Sequence, residues 1–274
     1  MWSSRRLRFL SMSELASSFG DVADAYDRGR PRYPQHVVEA IAEAAGGGPR
    51  LLDVGAGTGR LSVPLLEAGY DLVAVEPLDG MRAILAAGVG AERVLAGRSE
   101  ALPLADASVD GAVCSDAWHW FDGARAADEL HRVVRPGGGV VVCVLKLAEG
   151  ERPPWVAESE ELLLPLWKSV QHPYRNGSKR HEGLDGHPGF EPLEVRNVPF
   201  VHETDREGIV AHYQSMSAIA SQEPARRAEV LAGLDAILVR HGIGSIGIRY
   251  RAELSITRRQ PGPARPAGRP AAAS

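Results

Sequence analysis

Short apolar runs alternate with helical segments through the middle of this 274-residue chain. Most of the runs are continuously apolar, which is typical of strands that helices cover on both faces. Strand–helix alternation with short connections predicts a doubly wound, mostly parallel α/β sheet of the Rossmann-like kind. The runs that carry this prediction are residues 50–54, 71–77, 92–97, 109–116 and 140–147.

The pattern changes after residue 147. Residues 153–170 have the spacing of an amphipathic helix, and residues 191–203 and 248–259 alternate as strands do. Two further helices are predicted between those strands, the first running from the capping residue Asp205 to about residue 220. These elements extend the predicted sheet to seven strands, with a helical cap between the last ones.

The composition indicates a soluble protein that acts on small molecules. The formal net charge is −4, so no basic field points to a nucleic-acid partner. No apolar run approaches the ~20 residues of a membrane helix, and no secretion signal follows the basic N-terminus. Cys114 and Cys143 lie inside apolar runs, which favours buried free thiols and a cytoplasmic location. No metal site is expected, because neither these cysteines nor His172, His181 and His187 have ligand spacing.

The first apolar run ends in an acid, Asp53, and leads into the glycine turn GAGTG at residues 55–59. A dinucleotide fingerprint spaces its glycines G-x-G-x-x-G, whereas here the third comes one residue early. Asp53 would repel a pyrophosphate and favour a positively charged ligand. Glu76, at the end of the second run, is placed to accept the hydroxyls of a ribose. The pattern therefore suits a cationic nucleoside without phosphate, and S-adenosylmethionine is such a ligand.

Several motifs in order then resemble one family. The chain is similar to class I S-adenosylmethionine-dependent methyltransferases, in the small-molecule group that includes trans-aconitate methyltransferase-like proteins. The similarity spans residues 26–145. The motifs are YDRGRPRYP (26–34), LDVGAGTG (52–59), VAVEPLDGM (73–81), AGRSEALPLADASVD (96–110), SDAWHWFD (115–122) and LHRVVRPGGGVVV (130–142).

The resemblance implies which residues bind S-adenosylmethionine. Asp53 would hold the methionine amino group, Glu76 the ribose, and Pro77 and Met81 the adenine. Glu100, after the third strand, is either an adenine contact or the cap of a turn. The full implied set is Tyr26, Arg30, Asp53, Gly55, Ala56, Gly57, Glu76, Pro77, Met81, Ser99, Glu100 and Ser115.

The segment SDAWHWFD follows the fourth strand, where the family carries groups that face the substrate. Trp118 and Trp120 suit the wall of a substrate pocket, although core packing is the alternative for each. His119 is the best proton acceptor if the methyl acceptor is a hydroxyl or an amine. Arg30 is either a contact to a substrate carboxylate or an ordinary surface arginine.

One methyltransferase domain is expected over residues 13–259. Within it, residues 13–48 form an N-terminal lid, 49–147 the cofactor-binding core, 148–245 the substrate cap with the sixth strand, and 246–259 the closing strand. Residues 1–12 and the Pro/Ala-rich residues 260–274 are expected to be disordered.

The function expected from the sequence is methylation of a small molecule, at the oxygen of a carboxylate or a hydroxyl. Two alternatives stay open: a catalytically silent cofactor-binding protein, and an NAD-type oxidoreductase on the same kind of sheet. Nucleic-acid methylation is disfavoured because no basic patch is present. The protein is expected to be a monomer or a homodimer.

Overall fold

A seven-stranded sheet forms the centre of the computed structural model, which describes residues 23–150, 152–169 and 181–261. The strand order is β3-β2-β1-β4-β5-β7-β6, and β7 runs antiparallel to both neighbours while the other pairs are parallel. This confirms the predicted fold class. The strands are β1 (Arg50–Val54), β2 (Asp71–Val75), β3 (Val94–Leu95), β4 (Gly111–Ser115), β5 (Gly139–Leu147), β6 (Glu194–Thr204) and β7 (Ile246–Arg258).

Helices flank the sheet and form a group at one end. Two short 3-10 turns add Ala91–Arg93 and Trp118–Trp120. Residues 1–12 and most of the 260–274 tail, which were expected to be disordered, lie outside the described residues. The helices are α1 (Ala23–Gly29), α2 (Gln35–Ala44), α3 (Ser62–Glu67), α4 (Asp79–Val89), α5 (Gly123–Val133), α6 (Pro154–Ser169), α7 (Arg206–Gln214), α8 (Ser217–Ala220) and α9 (Pro224–Arg240).

Both faces of the sheet are buried at β1, β2, β4 and the first half of β5, which explains the continuous apolar runs. Successive strand residues point to opposite faces, so Leu51 packs with α2, α3 and α4 while Leu52 packs with α5. Each fully buried leucine contributes roughly 1.5–3 kcal/mol relative to exposure. Polar side chains at the carboxyl ends of these strands are thereby held on a rigid support.

The N-terminal segment divides into two parts. Helix α2 belongs to the core, because Val37, Val38 and Ile41 are almost completely buried against the sheet. Helix α1 instead packs along α7, where Gly29 lies so close that a Cβ would stand 2.0 Å from the backbone nitrogen of His212. Within the predicted lid over residues 13–48, α2 therefore packs in the core, and the covering role stays a prediction for α1.

The cap, formed by α6 to α9, has its own apolar core. Trp155, Leu163, Ile209 and Leu234 are among its buried members. Leu147 at the end of β5 packs against this core, as do the first residues of β7. The cap consequently lies over the edge of the sheet where β5 ends and β7 begins.

Two predicted elements differ from the structure. The helix expected from Asp205 to about residue 220 breaks after Gln214, because Ser215 turns its hydroxyl to the carbonyl of His212 and Met216 adopts an extended conformation. The third strand shortens to Val94–Leu95, since it lies at the sheet edge and pairs with β2 at two positions. Within the described residues, no helix is both long and apolar enough to span a membrane.

Candidate functional site

The glycine turn after β1 uses its N–H groups internally. Gly55 and Gly57 have φ values of +69° and +60°, which glycine adopts without strain. The N–H groups of Gly55 and Ala56 both donate to the carbonyl of Val75, at 2.9 and 3.2 Å. Gly57 N–H donates to Glu76 Oε2 at 2.9 Å. These three groups are engaged within the protein, whereas a phosphate-binding turn directs its N–H groups to the ligand.

Asp53 is a buried carboxylate at the end of β1. Its side chain is 2% exposed, and Ser62 Oγ donates to Oδ2 at 2.6 Å. Burial raises the pKa of Asp53 to about 7, with a further contribution from the charge of Glu76. A cation beside Asp53 would lower that pKa again and be held by the ionised form.

Glu76 is held in one orientation at the end of β2. Its Oε2 accepts from Gly57 N–H and its Oε1 accepts from Leu78 N–H at 2.9 Å. A carboxylate offers about four acceptor positions, so each oxygen can accept one more donor. Burial raises the pKa of Glu76, while the two backbone donors oppose that rise. The arrangement is suited to two neighbouring hydroxyl groups.

Two cavities meet at the glycine turn. The cap-side cavity, of about 280 Å³, extends from Asp53 under the cap to aromatic residues such as Trp155 and Tyr250. The β2-side cavity, of about 410 Å³, extends along Glu76 and Met81. Eight residues line both cavities: Tyr26, Arg30, Gly55, Gly57, Ser115, Asp116, Trp167 and Met216.

Helix α1 closes the junction between the two cavities. Tyr26 and Arg30 line both, and the Arg30 guanidinium carbon lies 5.1 Å from the centre of the Tyr26 ring. Arg30 Nε donates to Ser215 Oγ at 3.0 Å, at the break between α7 and α8. Tyr26 and Arg30, both in the implied cofactor set, thus lie beside the glycine turn, and Arg30 is held there by a contact with the cap.

The residues after β4 divide between site and core. His119 and Trp120 line the β2-side cavity, with ring centres 4.7 Å apart. Trp118 is 3% exposed and packs in the core, where its Nε1 donates to the carbonyl of Glu182. Trp118 therefore takes the core-packing alternative, and it lines neither cavity. His119 lies near Glu76 and does not line the cap-side cavity.

The predicted cofactor residues are mostly brought together. Asp53, Gly55, Ala56, Gly57 and Ser115 line the cap-side cavity, and Glu76, Pro77 and Met81 line the other.

Ser99 and Glu100 are the exceptions, because they line neither cavity. Glu100 Oε1 accepts from Asp122 N–H at 2.9 Å, so this side chain takes the turn-capping alternative. Ser99 Oγ is buried without a hydrogen-bond partner among the described residues.

Sequence reasoning missed several lining residues. Asp116 lies in the segment SDAWHWFD, where the pattern indicated no role for it, and Arg60 follows the glycine turn directly. His212 and Tyr250 come from distant elements whose local patterns indicate a helix and a strand and nothing more. Burial, followed by the charge of Arg30, lowers the pKa of His212 to about 3, and burial raises that of Tyr250 to about 12. Both groups are therefore neutral near pH 7.

The site fits a positively charged nucleoside. Two buried carboxylates lie on either side of the glycine turn, and an added Cβ at Gly57 would meet nothing nearer than Met81 Sδ at 3.9 Å. A ligand can therefore approach the backbone of the turn closely. Asp53 offers the counter-charge for an ammonium, and Glu76 offers acceptors for ribose hydroxyls.

Comparison with known proteins agrees with this arrangement. Residues 52–142 match the family model of the methyltransferase domain. An uncharacterized methyltransferase of Mycobacterium tuberculosis is 42% identical over 153 residues, which cover 56% of this chain and 61% of the relative. The malonyl-[acyl-carrier protein] O-methyltransferase of Pectobacterium atrosepticum is 36% identical over 138 residues, covering 50% and 54%. The chain thus spans about three fifths of the length of the first of these relatives.

A solved structure shares most of the architecture. The structure of a candidate type II methyltransferase from Anaeromyxobacter dehalogenans superposes with a TM-score of 0.64 at 25% identity, covering 84% of this chain and 97% of that one. The match to the methyltransferase domain model is thus confined to residues 52–142, and the fold of the described residues is the Rossmann-like fold of class I methyltransferases.

Proposed function

We propose that this protein transfers a methyl group from S-adenosylmethionine to an oxygen of a small molecule. The observation that carries the proposal is the pair of cavities that meet at the glycine turn, with Asp53 and Glu76 buried on either side. S-adenosylmethionine supplies a methyl group on a sulfonium, which leaves as the positive charge on sulfur is lost.

The residues of the turn and the two carboxylates would bind this co-substrate. Asp53 would pair with the ammonium of its methionine part, next to Gly55 and Gly57. Glu76 would accept from the ribose hydroxyls, and Met81 would pack near the adenine. The engaged N–H groups of the turn support a ligand without phosphate over NAD.

The acceptor would bind in the cap-side cavity. Its wall is largely aromatic and aliphatic, with Trp155, Trp167 and Ile248 among the lining residues. Such a wall suits an apolar or planar molecule and excludes water when it is occupied. The name of the Pectobacterium relative, an O-methyltransferase, supports transfer to oxygen.

His119 would act on the cofactor side of the site. It lines the cavity of Glu76 and Met81 together with Trp120. A proton acceptor for the methyl acceptor would need to reach the cap-side cavity, which His119 does not line. We therefore propose that His119 contacts the nucleoside, and this replaces the role of proton acceptor expected from the sequence.

Two measurements test the proposal. S-adenosylhomocysteine should raise the melting temperature of the protein while NADH leaves it unchanged, because binding to the native state alone stabilises it. A shift with NADH alone would favour an oxidoreductase. Labelled S-adenosylmethionine should then transfer its methyl group to members of a panel of phenols, alcohols and carboxylic acids. Binding without transfer to any member of a broad panel would favour a silent cofactor-binding protein.

A further inference from the structure

We propose that Asp116 receives the acceptor at the point of methyl transfer, where it holds an acceptor hydroxyl by a hydrogen bond and takes its proton. The inference rests on the proposed function and narrows it, because it selects a hydroxyl over a carboxylate as the acceptor. Asp116 directly follows β4.

Asp116 lies where the two cavities meet. It lines both of them, and of the residues shared by the two cavities in the described part of the chain it is the one with a carboxylate. With the nucleoside along Glu76 and the acceptor under the cap, the methyl group passes from one ligand to the other at this junction. A carboxylate there is next to the atoms that react.

The backbone fixes this carboxylate in place. Asp116 has φ +47°, a left-handed conformation that side chains other than glycine adopt at a free-energy cost and that Asp and Asn tolerate best. Its N–H donates to the carbonyl of Cys143 at 2.9 Å, and Leu145 N–H donates to Oδ1 at 3.4 Å. Strand β5 therefore sets both the backbone and one carboxylate oxygen.

Neutral phenols surround Asp116. Burial raises the pKa of Tyr26, Tyr33 and Tyr250, and the negative charge of Asp116 raises each of them further. These three residues line the cap-side cavity and come from α1, the segment before α2, and β7. These three residues contribute neutral hydroxyl groups to the wall beside the carboxylate.

The charges at the junction favour a neutral acceptor. An acceptor carboxylate would meet the like charge of Asp116, whereas a hydroxyl would find a hydrogen-bond acceptor there. Arg30, the cation among the described residues that line both cavities, donates its Nε to Ser215 Oγ and lies against the Tyr26 ring. The side chains at the junction therefore match a hydroxyl better than an anion.

The proposed step balances in atoms and charge. A lone pair of the acceptor oxygen forms the new oxygen–carbon bond, and the carbon–sulfur bond breaks with its electron pair going to sulfur. The sulfonium becomes a neutral thioether, and the hydroxyl proton moves to the carboxylate of Asp116. The proton then leaves to solvent when the products depart.

Two cofactor analogues test this placement without knowledge of the acceptor. S-adenosylhomocysteine lacks the methyl group, and sinefungin carries a primary ammonium on the carbon that replaces the sulfonium. Titration calorimetry gives the ratio of their dissociation constants for each variant. In Asp116→Asn we expect the binding of sinefungin to weaken about tenfold or more relative to the binding of S-adenosylhomocysteine, because the ammonium at the transfer point loses its counter-charge.

Matched variants separate the loss of the Asp116 charge from a change in backbone conformation or stability. Asp116→Gly also removes the carboxylate and adopts a positive φ freely, so it repeats the test if Asp116→Asn is unstable. Ala107→Gly relieves a similar φ of +46° in a turn outside both cavities and should leave the ratio unchanged. Asp53→Asn should weaken the binding of both analogues by the same factor, since both carry the ammonium of the methionine part.

The outcomes distinguish the two proposals. If neither analogue binds the unaltered protein, the proposed function fails and this inference fails with it. If both bind and the ratio is the same in Asp116→Asn and Asp116→Gly as in the unaltered protein, the assignment of Asp116 alone is overturned. For a hydroxyl acceptor from the screen, Asp116→Asn should lower kcat about 100-fold, the usual contribution of a positioned base.

Discussion

Replacing Asp53 by Asn should stabilise the ligand-free protein while weakening its binding of S-adenosylhomocysteine. Burial raises the pKa of Asp53 from 3.8 to about 7, so the folded state holds this proton more tightly than the unfolded state does. The contribution of Asp53 to the free energy of unfolding therefore falls as the pH rises from 3.8 to about 7, and it is constant above the pKa of the folded state. Asn is neutral at every pH and can still accept the hydrogen bond from Ser62 Oγ.

The size of the effect follows from the two pKa values. The raised pKa of Asp53 lowers the free energy of unfolding by about 2 kcal/mol at pH 5.5 and by about 4 kcal/mol at pH 8. The difference in unfolding free energy between Asp53→Asn and the unaltered protein should thus widen by about 2 kcal/mol between these pH values. A comparison across pH is independent of any constant cost of the substitution itself.

Urea unfolding followed by tryptophan fluorescence measures this difference, at half-unit steps from pH 5.5 to 8 and constant ionic strength. Asp185→Asn serves as the control, because Asp185 is an exposed carboxylate in a surface turn and lacks the burial from which the effect at Asp53 arises. A difference for Asp53→Asn that stays constant within about 0.5 kcal/mol would refute the reasoning.

The same proton controls ligand binding in the opposite sense. A ligand ammonium requires the ionised carboxylate of Asp53, so the unaltered protein should bind S-adenosylhomocysteine about eightfold more tightly at pH 7.5 than at pH 6. In Asp53→Asn that dependence should disappear. Calorimetric titration of Asp53→Asn with S-adenosylhomocysteine at the two pH values measures this. If its affinity still depends on pH, the dependence arises from a group other than Asp53.

Three further substitutions test the site and its support. Glu76→Gln should weaken binding of S-adenosylhomocysteine about 10- to 100-fold, since charge-assisted hydrogen bonds to the ribose are lost; equal affinity in calorimetry would contradict the ribose role. His119→Ala should weaken it about fivefold through loss of packing in the β2-side cavity, whereas intact affinity with lost turnover would restore this residue as proton acceptor. Gly29→Ala should destabilise the protein by about 1–3 kcal/mol, because the new Cβ meets the backbone of His212, while Gly244→Ala in open space should leave the melting temperature nearly unchanged.

Much of the binding turn could be predicted because its parts are close in sequence or fixed by strand order. Asp53 and the glycines are consecutive, and Glu76 ends the neighbouring parallel strand, paired in register with β1. Parallel strands bring their carboxyl ends to one edge, so two acids at two strand ends must lie near each other. The local pattern therefore sufficed for these residues.

Prediction failed where a short turn decided which way a side chain points. Trp118, His119 and Trp120 are consecutive aromatic residues, and nothing in their order shows that the first packs inward while the others line a cavity. The 3-10 turn after β4 sets these directions, and its geometry depends on what packs above it. The position of Asp116 depends likewise on hydrogen bonds to β5.

The sequence by itself determined the sheet, its parallel order and the acids beside the glycine turn, because apolar periodicity and strand-end motifs are local properties of the chain. Tertiary structure alone decided which residues close the site. Arg30 reaches Ser215 across 185 positions of sequence, and Tyr33 reaches Ser115 across 82. Such contacts depend on how segments that are distant in sequence pack together, and the apolar periodicity of a segment indicates which of its faces is buried but not which segment covers it.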